Sequence, residues 1–246
     1  MMLGTVIKSE LKNITRDKMY IFFFMFPIIM GLIGYFLIPY IEDSVAPGNP
    51  APQIVAMFLI LMTGYIFGAI TGFTLLDDRD DNVLMSLKIT PVSVKAYVVI
   101  KLIISYIFGV IATVLLVLAT NFLPGISIWS LLLISFIGAL QAPAIALIVN
   151  SLANNKVSGF VVMKMSGLLL MVPVLAFFVQ SWKEVFLVFA PGFWPARMIQ
   201  IEMIEAGMIP QLEMNLTFIW YFIIGVAYNL VFLTLLLKIY AKKANI

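Results

Sequence analysis

Apolar and polar positions are arranged along this chain in long blocks rather than short periods. Six mainly apolar stretches, roughly residues 19–41, 53–76, 96–120, 128–150, 157–180 and 216–237, are separated by short polar segments. A helix rising ~1.5 Å per residue needs about 20 residues to cross ~30 Å of hydrocarbon, so each stretch predicts a transmembrane helix. Ahead of them, residues 2–18 place Leu3, Val6, Ile7, Leu11 and Ile14 on one helical face, opposite Lys8, Glu10, Lys12 and Asp17. With Arg16 and Lys18 this predicts a basic amphipathic helix over 1–18 lying on the membrane surface. A signal peptide is the competing reading, since Ser44-Val45-Ala46 resembles a cleavage site. The charged segment and the apolar run are both too long for one, and Pro47 would follow the cut.

Composition agrees with the pattern. Hydrophobic residues make up 63% and charged residues 11% of the 246, and the mean hydropathy is +1.11; soluble domains carry about 25% charged residues. The expected fold is an all-α integral membrane protein in a single domain over 1–246. Cysteine and histidine are both absent, which excludes disulfides, thiol nucleophiles, histidine relays and His- or Cys-based zinc sites. Thirteen of the fifteen Lys and Arg residues fall on the side of the N-terminus, leaving only Lys183 and Arg197 on the other. The bias predicts cytoplasmic termini in a plasma (inner) membrane. Trp129, Trp182, Trp194 and Trp220 fall at the outer interface on this topology, where amphipathic rings are best placed.

Two connecting segments stand out. Residues 77–95 hold an acidic run followed by a short apolar turn. Asp80 or Asp81 can cap a helix there by accepting first-turn N–H groups. Val83, Leu84 and Leu87 share one face of it, and Thr90-Pro91 ends it. Such a stripe on a cytoplasmic loop has no bilayer to enter, so it needs a protein groove. Residues 181–215 are long yet apolar. A half-length run at 185–190, a break at Pro191-Gly192 and an amphipathic helix over 195–208 predict a re-entrant hairpin, tolerable only where protein covers its backbone. A loop lying on the membrane is the plainer alternative.

These segments carry a resemblance. The acidic run, the apolar turn, Lys88-Ile89-Thr90-Pro91-Val92-Ser93 and Lys101-Leu102 resemble the first cytoplasmic loop of type 2 ATP-binding-cassette (ABC) exporter permeases. Pro191-Gly192-Phe193-Trp194-Pro195-Ala196-Arg197 is similar to the Pro-aromatic-Arg signature of their outer hairpin. The resemblance implies that Asp80, Asp81, Val83, Leu84, Leu87, Thr90 and Pro91 form a coupling helix docking into a separate ATPase subunit. Asp80 or Asp81 stands where the family usually has glutamate. It also implies that the permease works beside a second protomer, identical or a sister chain, and that the hairpin carries Pro191, Gly192, Trp194, Pro195 and Arg197.

Other chemistry is thin. Asp78, Asp80 and Asn82 have calcium-loop spacing, but Val83 sits where glycine is required and Ile89 where the bidentate glutamate belongs. Without a Gly-Lys dipeptide there is no P-loop, so the chain is not its own ATPase; ATP and Mg would be bound by the partner. No metal site and no cofactor is expected in this chain, and no nucleic-acid partner. Ser166 and Lys164, two apart on a helix, point in different directions and make a poor dyad. Lys164 lies about two turns into the fifth span. It either snorkels to the interface or binds an anionic part of a substrate on the translocation path. Gly64, Gly68 and Gly72 form a small-residue stripe for close packing within the protomer or, less simply, between protomers. Pro27, Pro143 and Pro173 should kink their spans.

The sequence therefore reads as an exporter permease subunit rather than an enzyme, with a lean towards amphipathic, drug-like or peptide substrates. A non-transporting membrane scaffold is one rival. An ion-coupled carrier is another, weakened by the lack of a clear acidic residue within the spans.

Overall fold

The structure is a computed structural model and describes residues 22, 25–89, 93–179, 181–210 and 213–244. The surface helix expected over 1–18 lies outside the described residues, as do Thr90 and Pro91. Six helices are long and apolar enough to cross a membrane: Phe26–Ser44, Ala51–Asp80, Val94–Thr120, Ile128–Leu152, Lys156–Leu175 and Phe218–Ala244. All described elements are helical, which makes this an all-α, multi-pass membrane protein. Between the second and third spans stands the short helix Val83–Leu87, and between the fifth and sixth stand a 3-10 turn, Ser181–Phe186, and the helix Phe193–Glu205.

The second and fourth spans form the buried centre of the bundle. They approach closely because each presents small residues to the other. A Cβ on Gly64 would lie 2.7 Å from the Gly138 carbonyl oxygen, and one on Gly68 would lie 2.5 Å from that of Ala142. The glycine stripe is thus spent inside the protomer. Pro143 shapes the same contact. Having no N–H, it cannot bond the Ala139 carbonyl, which accepts from the Ala142 N–H at 2.9 Å instead. The fourth span breaks there into Ile128–Gly138 and Gln141–Leu152.

The fifth span tightens into a 3-10 turn, Gly167–Leu170, before Pro173 and ends by Leu175. Pro27 does not kink the first span. It occupies the first turn of that helix, where a missing N–H costs nothing, and the proline inside the helix is Pro39. The second span, at 30 residues, runs to Asp80 because no glycine or proline stops it between Leu76 and that point. A helix that long extends about 45 Å, well past the hydrocarbon.

Candidate functional site

The short helix is launched by a left-handed turn. Asp80 is the last residue of the second span and Asp81 its C-cap, while the N-cap of Val83–Leu87 is Asn82, at φ 59°. Neither aspartate caps the short helix, and Asn82 makes no side-chain cap bond. The expectation for Asp80 and Asp81 fails because the preceding helix continues through them. Asparagine is among the few residues that tolerate this backbone region.

The turn at Asn82 folds the short helix back onto its own bundle. Leu84 is buried, 7% exposed, in one apolar cluster with Leu75, Val98, Leu102, Leu236 and Tyr240 from the second, third and sixth spans. Leu87 packs half-buried on the same cluster, and Val83 is half-buried. The expectation that Leu84 needs a partner groove is therefore wrong, since the chain's own apolar cluster buries it, whereas Leu87 is left half-buried at the edge of that cluster. The apolar side chains left outside are Met85, 65% exposed, and Ile89, 91% exposed.

Charges brace this root. Lys101 is buried and ion-paired with Asp78, whose Oδ2 also accepts from the Tyr97 hydroxyl at 3.0 Å. Lys156 pairs with Asp77 at 2.9 Å on the surface. The Ala153 carbonyl, at the C-cap of the fourth span, accepts from Arg79 at 3.0 Å and from Lys243 at 2.6 Å. Two cations on a helix C-terminus complement its partial negative charge. Together they fasten the second and sixth spans to the end of the fourth.

At the opposite end the hairpin is packed into the bundle. Residues Pro191 to Gln200 are all buried within the bundle, while Trp182, Val185, Phe186 and Phe189 before them are exposed. A Cβ on Gly192 would lie 2.9 Å from Gln141 Oε1 and 3.1 Å from the Pro173 ring, so the hairpin tip nests between the two broken spans. Pro195 faces Gly138. Trp194 is only 5% exposed, packing over Gly225 and 5.7 Å from the Tyr228 ring. It does not mark an interface as expected, whereas Trp129, Trp182 and Trp220 are exposed.

Arg197 is the hub. It is 1% exposed and donates to the Ala176 carbonyl at 2.9 Å, the Val179 carbonyl at 2.7 Å and Gln200 Oε1 at 2.8 Å. Its Nη2 pairs with Glu184 Oε2 at 2.8 Å, and the Tyr221 hydroxyl is 3.1 Å from both Glu184 oxygens. One guanidinium thus closes the carbonyl end of the fifth span, the arm 181–186, the hairpin helix and the sixth span. Sequence reading placed Arg197 on the hairpin and gave it no partner, and it singled out neither Glu184 nor Tyr221. The available signal was two opposite charges on either side of the Pro191-Gly192 break.

Lys164 stands apart from both clusters, exposed on the fifth span. Among the described residues no group of three or more acidic, histidine or cysteine side chains is placed to hold a metal ion.

Comparison with known proteins gives the architecture a lineage. Two curated relatives from Mycobacterium tuberculosis, "Fluoroquinolones export permease protein MT2760" of strain CDC 1551 / Oshkosh and "Fluoroquinolones export permease protein Rv2686c" of strain ATCC 25618 / H37Rv, are each 25% identical over 236 residues. The alignment covers 87% of this chain and 89% of each relative. No solved structure matches. A family profile described as "Fluoroquinolones export permease protein Rv2686c-like" matches residues 10–237, and the chain belongs to that family of export permeases.

Proposed function

We propose that the chain is the membrane-spanning half of an ABC exporter that draws its energy from a separate cytoplasmic ATPase and works beside a second permease chain. The basic bias puts the short helix, both termini and the Asp78–Lys101 pair on the cytoplasmic side of the plasma membrane, and the hairpin outside. The cargo is drug-like and amphipathic, as the names of the relatives suggest. Closure of the ATPase dimer on ATP would carry the short helix with it, and the helix would carry the spans.

One observation bears most of this. Leu84 is buried in an apolar cluster shared with the second, third and sixth spans, while Met85 and Ile89 are exposed. A helix so rooted passes a push to three spans at once, and its outward side chains are the ones a partner would cover. Burying such a side chain is worth about 1.5–3 kcal/mol.

The test is co-purification of a cytoplasmic ABC ATPase with the chain from its own host. Met85→Asp with Ile89→Asp should weaken its association at least tenfold, while the permease still inserts and folds. Full association by the double variant would sink the assignment of the contact. Failure of any ATPase to co-purify with the unaltered chain would favour the membrane scaffold.

A further inference from the structure

The first three spans, the turn after the third and the trailing end of the hairpin enclose a cleft of about 600 Å³, in the range of pockets that hold drug-sized molecules. Its lining is separate from the Glu184–Arg197 cluster and from the short helix. The walls are apolar, with Ile38, Ala56, Phe122 and Met208 among them. A Cβ on Gly34 would fall 2.1 Å from the Phe122 ring, so the first span and the turn are in tight contact beside the cleft.

The polar side chains in it are few: Glu42, Gln53, Thr120, Asn121 and the hydroxyl of Tyr35. Glu42 lines the cleft and makes no ion pair with any described residue, and no described lysine or arginine lines it. The Thr120 hydroxyl donates to the Leu116 carbonyl at 2.7 Å, which leaves its oxygen free to accept. Gln53 Oε1 is buried without a partner, and a half-turn of that amide exchanges its oxygen with its NH₂ group. The Glu42 carboxylate is exposed at the cleft and open to an approaching cation. The rings of Tyr35 and Phe122 also line the cleft.

We infer that this cleft binds amphipathic organic cations of drug size, with Glu42 as counter-charge and Gln53 as hydrogen-bond partner. An anion would meet an unpaired carboxylate there, and a bare acyl chain would leave both polar groups unmet. The cleft's role, a holding site near the exit, rests on the export reading; binding itself requires no ATPase.

The experiment uses the full chain in phosphatidylcholine nanodiscs, titrated with ethidium and followed by fluorescence anisotropy against empty nanodiscs. Saturable binding is expected. Glu42→Gln should weaken it about tenfold, the loss of one charge-assisted contact. Ile38→Trp, which fills the cleft from its half-buried wall, should abolish it. Glu205→Gln, outside the cleft, should leave affinity and thermal midpoint unchanged. Absence of saturable binding, or equal affinity in wild type and the first two variants, overturns the inference. Absence of ethidium binding by the unaltered chain with its ATPase association intact rejects this site alone, and the converse result rejects the exporter reading alone.

Discussion

Arg197→Met tests the hairpin's anchorage most directly. The substitution keeps the length of the stem and removes the charge. It orphans the carbonyls of Ala176 and Val179 and leaves Glu184 with Tyr221 as its remaining partner. Breaking a buried ion pair from one side costs about 3–5 kcal/mol, because the surviving charge is left uncompensated. Each orphaned buried carbonyl adds about 1–3 kcal/mol before relaxation. With Arg197 at 1% and the Glu184 side chain at 10% exposure, solvent screening offers little relief. About 4–6 kcal/mol is expected after local adjustment, a large fraction of the ~5–15 kcal/mol that holds a typical protein together.

The double variant Glu184→Leu with Arg197→Met is the control. It removes both charges, so it should recover about 2 kcal/mol relative to Arg197→Met alone. The absence of cysteine provides the assay. Ser135→Cys, at a wholly buried position, reports unfolding through a thiol-reactive dye as the detergent-solubilised protein is heated. The expected order of midpoints is unaltered pair, double variant, Arg197→Met. A double variant no more stable than Arg197→Met, or a loss below about 1 kcal/mol in the single variant, would refute the buried clamp.

The remaining predictions use the same cysteine-free background. Gly68→Ala should cost about 1–3 kcal/mol, because its Cβ meets backbone, whereas Gly72→Ala meets the Val149 side chain at 3.2 Å and should cost less; equal thermal midpoints would show that the spans part easily. Leu84→Asp should lower the midpoint of the isolated permease while Met85→Asp leaves it unchanged, and the reverse order would put the short helix the other way round. Lys164→Met should transport normally if the exposed ammonium only snorkels, and lost transport at normal membrane level and ATPase association would assign it to the cargo path. Cysteines replacing Ser44 and Glu213 should react with an impermeant thiol reagent added to intact cells, and one replacing Ser86 should not. Labelling at Ser86 would invert the topology.

The spans were legible because crossing a bilayer is a demand on composition: about 20 apolar residues in a row can satisfy it whatever their neighbours are. The break at Pro143 and the glycine stripe were legible for a similar reason, since a missing N–H and a missing Cβ act locally wherever they fall. Pro27 shows the limit, for a proline in the first turn of a helix and one in its middle look alike until the start of the helix is known. The short helix was visible as a stripe, but Leu84 carries no sign of what covers it. Leu236 and Tyr240, which do so, lie at the far end of the chain.

Charges were the hardest to place, and for a physical reason. A lysine or arginine costs least in water, so an isolated one is rightly assigned to a solvated loop. Lys101 and Arg197 were counted only by their side of the membrane, yet each is buried with a carboxylate, Asp78 in one case and Glu184 in the other. Whether a cation can be buried depends on a partner brought to it by folding, and neither pair is adjacent in sequence. The orientation drawn from the basic residues is untouched by this. One of the two buried cations belongs to each side of the count, so discounting both leaves the bias in place. The positive-inside preference, moreover, concerns which segments cross the membrane during insertion, before either pair has closed.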